Sequence, residues 1–138
     1  KYIMHLSFRI KKSRDEVFNF LTDMQKFVTV HPVITQIDKI DQEKYLMHET
    51  LKIGFIPYSF TYPATIVKDS QQNLVKMTAV VMKLAKIEMQ FDLKADGEYT
   101  IIEENIHFES FLPIQFIMKS VFKQQHPILF KNIEKTAS

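Results

Sequence analysis

Apolar and polar positions alternate along most of this chain, and the changes in their period mark out its elements. Tyr2, Met4, Leu6, Phe8 and Ile10 fall on one side of an extended segment, with Ile3, His5, Ser7 and Arg9 on the other. Period-two spacing of this kind predicts a half-buried strand. The period then lengthens. Ser13-Arg14-Asp15-Glu16 is a capping-box pattern, in which the hydroxyl accepts from the amide three residues on and the acid reaches back. The helix it opens carries Val17, Phe20 and Leu21 on one side. A second short helix is predicted from Met24 to Val30, stopping before His31-Pro32 because a residue preceding proline avoids the helical region.

From Val33 to Ser110 the period returns to two, in six segments. Val33 to Ile40 is weakly patterned and reads as a strand with room for a bulge. Tyr45, Met47, Glu49, Leu51 and Ile53 then share a face, as do Tyr58, Phe60, Tyr62, Ala64 and Ile66 after a turn at Gly54 to Pro57. Pro63 has no amide for a ladder, so its strand is expected at an edge or bulged there. Val75, Met77, Ala79 and Val81 follow, then Ile87, Met89, Phe91 and Leu93 against Glu88, Gln90 and Asp92. Asp96-Gly97 signals a hairpin. The last strand, Tyr99 to Ser110, sets Ile102, Glu104, Ile106 and Phe108 on one face. Such alternation predicts an antiparallel sheet with one covered face.

A long amphipathic helix closes the chain. Pro113 suits its first position, and Ile114, Ile117, Met118, Val121, Phe122, Ile128 and Leu129 are its expected buried stripe. Pro127 is expected to kink or interrupt it.

The order of strand, helix pair, six-stranded meander and long helix resembles the START-like (SRPBCC) helix-grip superfamily. That group includes lipid-transfer domains, polyketide cyclases and birch-pollen-allergen-like proteins. The resemblance spans nearly the whole chain. It rests on Ser13-Arg14-Asp15-Glu16-Val17-Phe18-Asn19-Phe20-Leu21-Thr22-Asp23, on His31-Pro32-Val33, and on Leu112-Pro113 before the final helix. It implies an α+β fold in which a curved antiparallel sheet grips the C-terminal helix, with a hydrophobic cavity between them. These motifs specify architecture, and function does not follow from fold alone.

Length and composition narrow the rest. The 138 residues fit one domain, residues 1–138, able to bury a core without staples. Net charge is +2 with acids and bases interspersed, which argues against nucleic acid as a partner. The chain has no cysteine, which excludes disulfides and thiol chemistry and fits a cytoplasmic location. No apolar run is long enough for an integral membrane segment. Two glycines rule out a Gly-rich phosphate loop. His5, His31, His48, His107 and His126 lack metal-ligand spacing, so neither metal nor cofactor is expected. Each histidine by itself is expected at the surface or in an ordinary hydrogen bond, and Lys11, Lys12 and Arg14 on a solvated face.

The candidate ligand-binding residues are therefore Tyr45, Met47, Glu49, Leu51, Tyr58, Phe60, Tyr62, Met77, Met89, Phe91, Glu104, Phe108, Met118 and Phe122. Twelve phenylalanines and seven methionines make an adaptable lining. Whether they enclose a void or fill a dry core depends on sheet curvature. Glu49 and Glu104 sit on the apolar parity of their strands and are expected inside, unless a bulge swings them outward. Tyrosines of the Tyr58 to Tyr62 strand are their expected partners. The leading expectation is binding or transport of a small hydrophobic or lipid-like molecule. The alternatives are a cyclase- or hydrolase-type enzyme using the same cavity, with Glu49 or Glu104 as acid or base, and a co-chaperone-like interaction module.

Overall fold

The fold is described from a computed structural model covering residues 2–137; Lys1 and Ser138 lie outside the described residues. Strand β1 (Tyr2–Ile10) leads into helices α1 (Arg14–Thr22) and α2 (Met24–Val30). Six strands follow: β2 (Ile34–Asp41), β3 (Lys44–Ile53), β4 (Ile56–Asp69), β5 (Leu74–Val81), β6 (Ala85–Asp96) and β7 (Tyr99–Ser110). Helix α3 (Gln115–Lys135) ends the chain. The strands form one antiparallel sheet in the order β1-β7-β6-β5-β4-β3-β2. The meander thus returns only once, to seat β1 beside β7, and the helix pair carries the chain from one edge to the other.

The local signals act as their chemistry requires. The Glu16 amide donates to the Ser13 hydroxyl at 3.2 Å, and the hydroxyl donates to the Glu16 carboxylate at 3.0 Å. Asp23 closes α1 and caps α2, accepting from the Gln25 amide. The register of β2 on β3 shifts between Ile34 and Gln36 and again between Lys39 and Asp41, so the weak alternation there reflects real irregularity. Pro63 lies in an interior strand, yet the β4–β5 ladder begins only at Ala64. At Pro63 β4 has a single neighbour, and its missing amide costs no rung.

Three expectations are corrected. Helix α3 starts at Gln115 with Ile114 as N-cap, so Pro113 precedes the helix instead of opening it. The helix runs on through Pro127 without interruption, because the packed turns beyond it outweigh one missing amide bond. Its buried stripe is Phe122, His126, Leu129, Phe130 and Ile133, whereas Ile117 and Ile128 are about half exposed, at 57% and 48%. Lys12 is no surface lysine either. Its buried side chain donates to the Thr136 carbonyl, tying the end of β1 to the end of α3.

The buried residues form two clusters. One joins the helix pair to the C-terminal turns of α3 through Val17, Leu21, Phe27, Leu129, Phe130 and Ile133. The other gathers Met4, Ile87, Ile106, Phe108 and Phe122 near the start of α3. Helices α1 and α2 pack at one end of the sheet, and the Asn132 side chain donates to the Val30 carbonyl at 2.8 Å. The β3–β4 and β5–β6 turns and the β7–α3 link lie at the opposite end. There Phe55, Met82, Phe111 and Phe116 are exposed.

Candidate functional site

Between the concave face of the sheet and α3 lies a cavity of about 110 Å³. The alternation that builds the strands also builds its wall. Met47, Glu49 and Leu51 of β3, Phe60 and Tyr62 of β4, Met77 of β5, and Met89 and Phe91 of β6 all face it, with Met118 and Phe122 of α3 closing it. Ten of the fourteen candidate residues are thereby brought together.

The other four are not on the wall. Tyr58 is half exposed, because the first half of β4 extends past the end of β5 and nothing covers its face. Tyr45 packs against the larger core cluster, toward the far end of β3. Phe108 is buried in the smaller cluster, with Tyr2 edge-on at 5.6 Å. Glu104 is fully buried behind the wall and bonded to a residue that does line it.

Four polar side chains on the cavity wall have partners. The Tyr62 hydroxyl donates to Glu49 at 2.6 Å. Burial raises the Glu49 carboxyl above its ordinary range, against the opposing pull of the Tyr62 bond and of His126. Burial and the neighbouring carboxylate push the Tyr62 phenol upward as well. His126 Nδ1 is 2.7 Å from Glu104 Oε1, and both side chains are buried. The second Glu104 oxygen is buried without a hydrogen-bond partner among the described residues. The expectation that a tyrosine would meet each inward glutamate therefore holds for Glu49 and is corrected for Glu104, whose partner comes from α3.

His31 ends α2, and its Nδ1 accepts from the amides of Val33 and Ile34 at 3.2 and 3.1 Å. Burial, with repulsion from His126, lowers its pKa from 6.5 to about 3. The unfolded chain takes up a proton on this ring near pH 6.5, and the folded chain does not until about pH 3. Stability from neutral His31 is thus whole above pH 6.5 and is lost as pH falls toward 3. Urea unfolding at pH 7 and pH 5 is expected to show a smaller loss for His31→Asn, whose side chain still offers an acceptor, than for the unaltered protein. An equal loss in both would mean that His31 protonates normally in the fold.

Isolated expectations about histidine missed both rings. The signal for His126 was present in the spacing: it lies four residues after Phe122 and three before Leu129, inside the helical stripe. His31 gave no such signal beyond its place before Pro32. Among the described residues no three histidine, aspartate or glutamate side chains gather as a metal site, and no helix is long and apolar enough to cross a membrane.

A family model for the carbon monoxide dehydrogenase protein CoxG matches residues 7–111, from β1 to the link before α3. The chain belongs to the CoxG family. In this CoxG-family chain the match takes in His31, Glu49, Tyr62 and Glu104, while His126 lies beyond it on α3. No curated protein matches the sequence. Among solved structures, a conserved protein from Geobacillus kaustophilus is 16% identical with a TM-score of 0.81, over 97% of this chain and 93% of that one. A START superfamily protein from Mycobacterium smegmatis is 12% identical with a TM-score of 0.76, over 97% and 95%. The Zhui aromatase/cyclase from Streptomyces sp. R1128 is 10% identical with a TM-score of 0.70, over 96% and 92%. The CoxG-family chain therefore has the START-like helix-grip fold, as its order of elements implied.

Proposed function

We propose that the protein binds a small, mainly apolar molecule in the cavity between the sheet and α3. The observation that carries this reading is the cavity itself: Met47, Leu51, Met77, Met89 and Met118 surround it with flexible apolar side chains. The fold it shares with a START superfamily protein and an aromatase/cyclase supports the same reading. Apolar lining supplies affinity, and the few polar groups on the wall orient what binds.

An apolar fluorescent probe is expected to bind with saturation. Ala79 is buried on the lining, so Ala79→Phe fills the space and should weaken binding at least about tenfold. The extra ring costs about 1–3 kcal/mol of stability if the wall must shift, and denaturant titration measures that separately. A wild-type protein that takes up no apolar probe would mean that the space is closed to ligands.

A second reading is enzymatic. It is favoured by one specific observation, a buried imidazole–carboxylate pair beside the cavity, which is an arrangement suited to moving a proton on a bound molecule. Turnover of candidate ligands, lost in Glu104→Gln with binding retained, would establish it.

A further inference from the structure

Most polar atoms on the cavity wall are satisfied within the fold. Tyr62 and Glu49 occupy one another. The two histidines differ, because each uses one ring nitrogen internally and keeps the other unbonded among the described residues. What each ring offers follows from what it has already used. His31 Nδ1 accepts two backbone amides, which requires a lone pair there, so the neutral ring carries its proton on Nε2 and is a fixed donor. His126 Nδ1 faces a carboxylate, which only accepts when ionised. Its Nδ1 therefore holds the proton, and the neutral ring presents Nε2 as an acceptor. The two rings are close enough that charge on one opposes charge on the other.

We propose that these two histidines read opposite groups on the ligand, so that the cavity selects a compact apolar molecule carrying both a carbonyl and a hydroxyl. His31 Nε2–H donates to the carbonyl oxygen. His126 Nε2 accepts from the hydroxyl. Glu104 is a positioning residue that holds His126 in the accepting tautomer, as carboxylates do for imidazoles elsewhere. The polar pair matters because a buried site built to bond a hydroxyl or carbonyl discriminates against an analogue lacking it far more strongly than apolar contact can. This inference rests on the binding reading above and specifies its ligand class.

Four probes of nearly one shape test it: ethylbenzene, acetophenone, 4-ethylphenol and 4-hydroxyacetophenone. They carry neither group, the carbonyl, the hydroxyl, and both. Binding is measured by calorimetry for the wild-type protein and for Glu104→Met/His126→Leu, a pair of changes that leaves no lone buried charge. The variant should weaken 4-ethylphenol at least about fivefold relative to ethylbenzene, the scale of one net hydrogen bond. The acetophenone-to-ethylbenzene ratio should not change. Nitrogen-15 spectra of the wild-type rings at pH 7 provide a readout that needs no variant. They should show His31 protonated on Nε2 alone and His126 on Nδ1 alone, with acetophenone shifting the first and 4-ethylphenol the second. Either ring in the opposite tautomer, or a doubly protonated His126, overturns the proposal. If ethylbenzene binds and the variant treats all four probes alike, the two-histidine reading falls while the cavity reading stands. If ethylbenzene does not bind the wild-type protein, the cavity reading falls and this one with it.

Discussion

His126→Leu is expected to destabilise the protein by about 3–5 kcal/mol, the range for breaking a buried charged pair from one side. Glu104 has no exposed surface, its Oε2 already lacks a partner, and its Oε1 is held only by His126 among the described residues. Removing the imidazole leaves a carboxyl group with nothing to replace water on either oxygen. A leucine fills a similar volume, so lost packing is a minor part of the effect. The cost should therefore vanish in large part when the acid goes too. Glu104→Met/His126→Leu is expected to recover most of the stability, since apolar replacement of both partners is often neutral or favourable. Urea unfolding of the wild type, both single variants and the double variant gives the coupling directly. A double variant no more stable than His126→Leu alone would show that the imidazole ring matters for packing and not for pairing.

Phe130→Ala should cost about as much, 3–5 kcal/mol, by another route: roughly the range for truncating a fully buried aromatic side chain. Phe130 has no exposed surface. Its ring lies 4.7 Å from Phe8 on β1 and 6.0 Å from Phe91 on β6, so one side chain clamps α3 to two strands. The larger core cluster closes tightly around it, and little can collapse into the space it leaves. Met89→Ala is the informative contrast. Met89 is only partly buried and already borders the cavity, so its truncation enlarges an existing space and should cost distinctly less. Thermal unfolding of the two variants separates them, and equal losses would argue that the cavity is packed as densely as the core.

Much of this architecture could be read from the chain because two periods dominate it. Strands β3 to β7 show their inward faces by alternation alone, and Ser13 and Glu16 announce α1 through a local hydrogen-bonding pattern that needs no tertiary context. What escaped the sequence depends on where elements end against one another. Tyr58 has the same parity as Tyr62, but β5 stops short of it, so its face is bare. Phe108 points inward and meets the smaller cluster instead of the cavity. In α3 the stripe was placed about one residue off in phase: Ile117 and Ile128 are apolar but face outward, while the polar His126 takes an inward position. Hydrophobicity misleads there because the helix has a carboxylate to satisfy. Glu104 was placed inside by parity, yet its partner sits 22 residues further along the chain, and no spacing rule connects a strand to a helix across that gap.

The cavity also gives the protein an unusual mechanical property. On a molar scale, a void of 110 Å³ is roughly 66 mL, comparable to the ~20–100 mL/mol by which unfolding shrinks a protein in water. Hydrostatic pressure should therefore find this fold compliant, unfolding the empty form at pressures that a filled one withstands. Ala79→Phe, or any ligand that occupies the space, should raise the pressure midpoint even where it leaves the melting temperature little changed. Tyrosine fluorescence under pressure would register that difference, so occupancy can be followed as a change in volume before the occupant is known.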